Sequence, residues 1–359
     1  MTENRYDFID IAKGFGILSV VWAHILLVGN SHRIIYAFHM PLFFFLSGFL
    51  FDEHKYPSFN NFIKKRFKRL IIPYLIYSIV TWGIWAIFRY VRGDEVRSYL
   101  MPLLQTVIAQ GSGAYLVHNS ALWFIPCLLV VEIMFFFILK IRHKMAIVVC
   151  FGVACLGIVL AHCYGRAYLD NMPWNLDAAF LALPFYSVGN VLRKAYRFYS
   201  NENQTHYFIR IIIAIVLSSI TVFLSFCFGE CSMGSSSYQC HEFIFISRAF
   251  MGIVALMEIA MLLSKIQLIG MSTFLDALRW CGRYSLEIMC IHIPIKGIVV
   301  IMITKLLKLK FDLSESFLYS LISFIITIGI SLFVIIFIIN KLKYIFNKLF
   351  LEYMALGRS

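Results

Sequence analysis

The first apolar run of the chain, DFIDIAKGFGILSVVWAHIL, carries four ionisable residues: Asp7, Asp10, Lys13 and His24. At about 100° per residue, the eleven-residue step from Lys13 to His24 turns about 20° past three full circles, so both fall on one helix face. A rise of about 1.5 Å per residue separates them by roughly 16 Å along the axis. Asp10, fourteen residues before His24, falls about 40° short of four turns and joins the same stripe. A histidine is suited to proton transfer near neutral pH, and the basic group on its face favours a functional role. The plainer alternative has Asp10 and Lys13 snorkelling to the inner interface and His24 as a hydrogen-bonded packing residue.

Four further stretches hold residues that a membrane environment does not explain. In FHMPLFFFLSGFLF (38–51), His39 and Pro41 open a run in which Pro41 suits a helix start and Ser47-Gly48 admits a close helix neighbour; its phenylalanines read as packing. In KKRFKRLIIPYL, five of the six residues 64–69 are basic, Lys65, Arg66 and Arg69 among them. That cluster suits either anionic lipid or a phosphorylated ligand, with Arg66 and Arg69 one turn apart and able to fork onto phosphate. Glu132 is the one acid in LWFIPCLLVVEIMFFF. It needs a partner or a proton, and could orient His24, pair with a Lys or Arg, or stay protonated. Trp123 begins that run at the outer interface, an aromatic-belt position. CGRYSLEIMCIHIPIK (281–296) adds Glu287, His292 and Lys296. No P-loop, G-x-S-x-G, HExxH or dinucleotide fingerprint is present, and no His/Cys spacing points to a metal, so none is expected.

These residues require helices that cross a membrane. The chain has 359 residues, 61% hydrophobic and 14% charged, with mean hydropathy +0.81, against about 45–50% apolar and 25% charged in soluble domains. Too few polar side chains remain to cover a water-facing surface, which argues against a soluble enzyme, a secreted module or a disordered chain. The net charge of +13 then marks cytoplasmic loops rather than a nucleic-acid partner. Apolar runs at about 8–29, 34–51, 71–90, 119–139, 145–163, 176–192, 209–228, 245–264, 284–303 and 314–340 predict ten transmembrane helices. The expected fold is an all-α polytopic helical bundle. With the N-terminus and C-terminus both inside, most Lys and Arg flank the cytoplasm; Lys305, Lys308 and Lys310 are exceptions. The transmembrane domain is expected over 1–345, with a short cytoplasmic tail at 346–359. On this topology Cys231 and Cys240 face outward, either bridged or as two loop thiols.

Taken in order, the motifs resemble the acyltransferase-3 family of integral membrane O-acyltransferases, and its sugar O-acetyltransferase branch most. Arg5-Tyr6-Asp7 and Asp10 lead to Lys13, ten residues, then His24; this is similar to the family's basic-x10-His pattern, with lysine in place of arginine. Phe38–Phe51, Arg66-x-x-Arg69 with Pro73, Leu122-Trp123-Phe124, Pro184-Phe185-Tyr186 with Gly189, and Gly282–His292 resemble later blocks, so the likeness covers about 5–300. The resemblance implies an acetyl-CoA-dependent enzyme of the bacterial inner membrane that acetylates a sugar or glycan acceptor, lipid-linked or exported, among membrane lipids. It implies His24 as the catalytic histidine and Lys13 as its basic partner; Asp10, on the same stripe, and Glu132, the buried acid, are the further catalytic candidates from the residues themselves. Arg66 and Arg69 are expected at the CoA side, with Lys65, His39, Trp123 and His292 as further substrate-binding candidates. The rival expectation is a glycolipid transporter or flippase, in which the same intramembrane groups would line a polar path.

Overall fold

The computed structural model describes residues 6–26, 30–111, 115–164, 172–199, 205–235, 237–266, 269–307 and 316–341. Arg5, Lys308, Lys310 and the expected tail 346–359 lie outside the described residues. In chain order the helices are α1 (Asp7–Ile25), α2 (Asn30–Tyr36), α3 (His39–Leu50), α4 (Phe59–Arg66), α5 (Ile72–Arg92), α6 (Met101–Leu104), α7 (Phe124–Arg142), α8 (Ala146–Tyr164), α9 (Leu176–Tyr199), α10 (Thr205–Phe228), α11 (Glu242–Ser264), α12 (Ile269–Arg283), α13 (Ser285–Leu307) and α14 (Phe317–Val334). The strands among the described residues are β1 (Cys231–Ser232) and β2 (Ser237–Tyr238), paired antiparallel. The chain is therefore an all-α polytopic bundle. Each of the ten expected runs overlaps helix, and among the described residues eight stretches are long and apolar enough to cross a membrane; the run at 176–192 is helical but is not one of them. One of these, Ser120–Cys163, contains both α7 and α8. The expected run at 34–51 is broken at Ala37-Phe38 into α2 and α3. An element not expected is α12, a 15-residue helix where composition predicted a basic connection.

The bundle is apolar outside as well as inside, as a lipid solvent requires. On α14 the buried residues are Ser320, Ser323, Thr327 and Ser331, at i, i+3 and i+4 spacing, while Phe317, Leu318, Ile325 and Phe333 are exposed. The same inversion appears on α5, which buries Ser78 and Thr81, and on α10, which buries Thr221 and Ser225. Small polar residues let these outer helices approach the centre and hydrogen-bond there; Ser331 and Ser225 donate to carbonyls one turn back at 2.7 Å.

Two glycine crossings fix the centre. On α1 and α12, a Cβ on Gly14 would overlap the Leu278 carbonyl, and one on Gly282 would overlap the Asp10 carbonyl. On α3 and α9, a Cβ on Gly48 would overlap the Tyr186 carbonyl, and one on Gly189 the Phe45 carbonyl. The expected role of Ser47-Gly48 in admitting a helix is thus realised, with Gly189 as its counterpart. Orphan carbonyls at the end of α3 are met from α9: Asn190 Nδ2 donates to Phe51 O at 3.0 Å and Arg193 Nη1 to the same oxygen at 2.8 Å. At the start of α1, Arg279 of α12 donates through Nε and Nη2 to Asp7 at 2.7 Å each, so α1 is anchored at its N-terminal end.

Candidate active site

A cavity of about 960 Å³, named inner after the expected topology, opens among α1, α3, α4, α7, α9 and α13. Its wall includes Tyr6, Lys13, Ser47, Asp52, Lys55, Arg66, Arg69, Glu132, Arg193, Ser285 and Met289. Five of these side chains are basic and two, Asp52 and Glu132, are acidic, so the wall has an excess of basic groups. Arg66 is buried in this wall, its guanidinium packed against the rings of Tyr56, Phe51 and Phe62 at 5.3, 5.6 and 5.9 Å. Its Nε lies 3.0 Å from Glu132 Oε2, and Tyr186 donates its hydroxyl to Glu132 Oε1 at 3.5 Å. A buried arginine is costly unless paired, and here pairing and aromatic contact together orient it. The next turn, Phe67–Ile71, is a π-helix, the widened turn often found at functional sites. It carries Arg69 into the cavity wall while Arg66 keeps its ion pair. At the rim, Arg193 Nη2 donates to Asp52 Oδ2 at 3.0 Å. Partial burial alone would raise the Asp52 carboxyl, but the Arg193 guanidinium outweighs it and holds that carboxyl below the usual range.

A second cavity of about 160 Å³, named outer on the same expectation, is lined by His24. It is lined by Val20, His24, Tyr36, His39, Trp123, Met289 and the segment Cys231–Ser235, among others. Met289 lines both cavities, so one side chain of α13 stands between the basic chamber and the histidine chamber. Lys13 and His24 thus open into different cavities from one helix. His292, one turn beyond Met289, places its ring 5.1 Å from that of His24. Its Nδ1 meets the carbonyls of Met289 and Ile288 at 2.9 and 3.0 Å. A carbonyl only accepts, so Nδ1 carries the proton and Nε2 the lone pair. That Nε2 is buried without a hydrogen-bond partner. His39 is held likewise, Nδ1 donating to Ile35 O at 2.8 Å, which leaves Nε2 as the acceptor. Behind it the Tyr36 ring lies 4.8 Å away, stacked at 4.1 Å on His32, whose Nδ1 is 2.7 Å from Glu230 Oε2.

The outer roof is built from three connections. Asn175 accepts from Gly111 N at 2.8 Å and donates to Gly234 O at 3.0 Å. Trp123 packs against both glycines, where a Cβ would lie 2.8 Å from its ring at Gly111 and 2.6 Å at Gly234. Ala109, Trp174 and Asn175 adopt left-handed backbone conformations, with φ of 55°, 60° and 48°. Such conformations cost of order 1–3 kcal/mol each, and here they all lie in or beside the roof.

The structure brings Lys13, Arg66, Arg69 and Glu132 to the inner cavity, and His24, His39 and Trp123 to the outer one, with His292 behind His24. Glu132 faces Arg66, which is the pairing alternative rather than an orienting contact with His24. Lys65 is not brought to either cavity. It is exposed, donates to Lys55 O at 3.2 Å and lies over the Tyr56 ring; its neighbour Lys55 reaches the wall instead. Asp10 is buried but lines neither cavity. Its carboxylate lies 3.7 Å from Arg283 Nε and its carbonyl packs on Gly282, so its place is in the α1–α12 crossing. Residues missed in the sequence include Arg193, taken only as loop charge, and Tyr36, Met289 and Asn175, whose types give no signal without the fold. His162, His241 and Glu242 bring ligand atoms within 4.8 Å of one another. This group is spread over α8 and the start of α11, and sequence spacing did not reveal it.

A family model described as an acyltransferase domain matches residues 6–338, nearly the whole chain, and the protein belongs to that acyltransferase-3 family. No curated protein matches the chain, and no solved structure does. The fold and the family together define an integral membrane acyltransferase.

Proposed function

We propose that the protein is an O-acetyltransferase of the bacterial inner membrane that moves an acetyl group from cytoplasmic acetyl-CoA to a hydroxyl of a cell-envelope or exported glycan. The observation that carries this reading is the pair of cavities meeting at Met289, one basic and large, the other small and holding His24. The inner volume is at the upper end of the range for small-molecule sites, about 300–1,000 Å³. Lys13, Arg66, Arg69, Lys55 and Arg193 supply positive charge for the phosphates of CoA. Its thioester arm reaches past Met289 to His24, and the acceptor hydroxyl enters from the outer chamber. The Lys and Arg excess on the inner side of the assigned topology supports this orientation.

In the transfer, a nitrogen lone pair of His24 takes the acceptor hydroxyl proton as the oxygen attacks the thioester carbon. The C–S bond then breaks, and the CoA thiolate leaves and takes up a proton. In the relay version His24 itself is acylated first, then gives the acetyl group to the hydroxyl. Acetyl label on His24 after mixing with acetyl-CoA in the absence of acceptor marks the relay; no label under fast quench leaves direct transfer.

The reading is tested by acetyl-CoA consumption with purified protein in lipid nanodiscs and a panel of envelope sugars. Consumption that depends on one of the sugars is expected. Neither binding nor consumption of acetyl-CoA would defeat the donor assignment.

A further inference from the structure

We propose that Cys231 and Cys240 form a structural disulfide that locks the roof of the outer cavity. Their Sγ atoms lie 2.9 Å apart. A disulfide bond is about 2.05 Å long, so closure requires a shift of less than about 1 Å. The two residues sit at the base of the β1–β2 hairpin, in which Cys231 pairs with Tyr238 and Ser232 with Ser237. Gln239 N donates to Glu230 O at 3.0 Å and Glu230 N to Gln239 Oε1 at 2.8 Å, so the same ends are already aligned. Both cysteines are buried, yet neither lies in a helix.

The hairpin is part of the site. Cys231, Ser232, Met233, Gly234 and Ser235 line the outer cavity, and Gly234 is held to the rest of the roof through Asn175 and Trp123. Two two-residue strands are too short to hold a shape alone. A covalent link across nine positions fixes the hairpin base and with it the ceiling above His24. The inference rests on the proposed orientation, which puts this face in an oxidising compartment.

Arg248 of α11 is fully buried beside the pair and donates through Nη1 to Gly229 O at 2.8 Å. Its Nε and Nη2 have no hydrogen-bond partner. The hydrogen bond with Cys240 and the positive charge of Arg248 lower the Cys231 thiol pKa, against the opposing effect of burial. Either cysteine can supply the attacking thiolate during folding, and Cys231 is taken in that role. The co-reactant is a thiol–disulfide oxidoreductase in its disulfide form. Cys231 Sγ attacks one of its sulfurs and releases the other as a thiolate. Cys240 Sγ then attacks Cys231 Sγ of the mixed disulfide and displaces the second donor thiol. The protein loses two protons and two electrons, and the donor gains them. Burial of both sulfurs in the finished hairpin places the step during folding and shields the bond afterwards.

The test is a thiol count on protein purified without reductant from its membrane, unfolded in an alkylating agent and measured by intact mass. Of the nine cysteines, seven are expected to be alkylated before reduction and nine after it, with peptides containing Cys231 and Cys240 linked in the unreduced digest. Nine alkylated without reduction would overturn the bridge. Cys231→Ser should leave all eight remaining thiols reactive; a disulfide surviving in that variant would assign the bond to other residues and equally overturn the proposal. For the lock, hydrogen exchange across 229–241 should rise at least tenfold in the Cys231→Ser/Cys240→Ser variant; unchanged exchange would refute it. Acetyl-CoA consumption by the same wild-type preparation is read separately. A bridge present without consumption counts against the acetyltransferase reading alone, and consumption with nine free thiols counts against the bridge alone.

Discussion

Lys296 donates its ammonium to the backbone carbonyl of His24 at 2.6 Å, which ties the last turn of α1 to α13. The His24 carbonyl is one of the orphan acceptors at a helix C-terminus, where a cation is favourable. The same α13 carries Met289 between the cavities and His292 beside the His24 ring. The position of the histidine is therefore set by a helix far away in sequence. Lys296→Met should lower turnover about tenfold, or about 1.4 kcal/mol in the barrier, with the acetyl-CoA dissociation constant unchanged. A loss of donor binding with kcat preserved would contradict this positioning role.

The buried Arg66–Glu132 pair makes a stability prediction. Glu132→Ala leaves the guanidinium in an apolar wall without its carboxylate, a loss of about 3–5 kcal/mol for a buried pair. The double variant Arg66→Met/Glu132→Leu should recover most of that stability yet bind acetyl-CoA more weakly than wild type. Unfolding midpoints in detergent and donor titrations report the two effects separately.

The glycine crossings separate sites that tolerate a methyl from sites that do not. Gly48→Ala and Gly189→Ala each drive a Cβ into a facing carbonyl and should cost at least about 3 kcal/mol, the upper range for overpacking. Gly83 has nothing within 4 Å of an added Cβ, so Gly83→Ala should be neutral or gain up to about 1 kcal/mol from helix propensity. Equal midpoints for the three variants would contradict the packing described.

His118 makes the fold acid-sensitive. It is buried at the start of the segment leading into α7, and neither ring nitrogen has a hydrogen-bond partner among the described residues. Burial pushes its pKa down to about 4, whereas an unfolded histidine titrates near 6.5. Between about pH 6.5 and pH 4 the unfolded chain takes up a proton that the native state refuses, so stability falls with pH by about 1.4 kcal/mol per unit. Above about pH 6.5 this group contributes no slope. Thermal midpoints across that range should show the slope in wild type and a shallower one in His118→Leu. An unchanged slope would remove His118 as its source.

Most of the helical pattern was legible because apolar runs and lipid impose it residue by residue. The Lys13–His24 face was legible for the same reason: both residues lie on one helix, and helical geometry alone places them. What sequence did not reveal depends on contacts between distant segments. Met289 looks like any apolar residue until α13 crosses α1. Arg193 looks like loop charge until α9 packs on α3 and brings it to Asp52. Glu132 had several possible partners, and only the approach of α4 to α7 selects Arg66. The amphipathic α12 was taken for a connection because its charges, among them Asp276, Arg279 and Arg283, break the apolar run; Asp7 and the glycine crossing hold it as a helix.

The proposed function divides labour along α1, with donor binding at the Lys13 end and chemistry at the His24 end. The most direct test measures acetyl-CoA binding and acetyl-CoA turnover on the same nanodisc preparations of wild type and His24→Ala. Equal binding is expected, with a loss of turnover of at least about a hundredfold, the lower range for removing a general base. Turnover by His24→Ala equal to wild type would keep the enzyme and remove His24 from its chemistry.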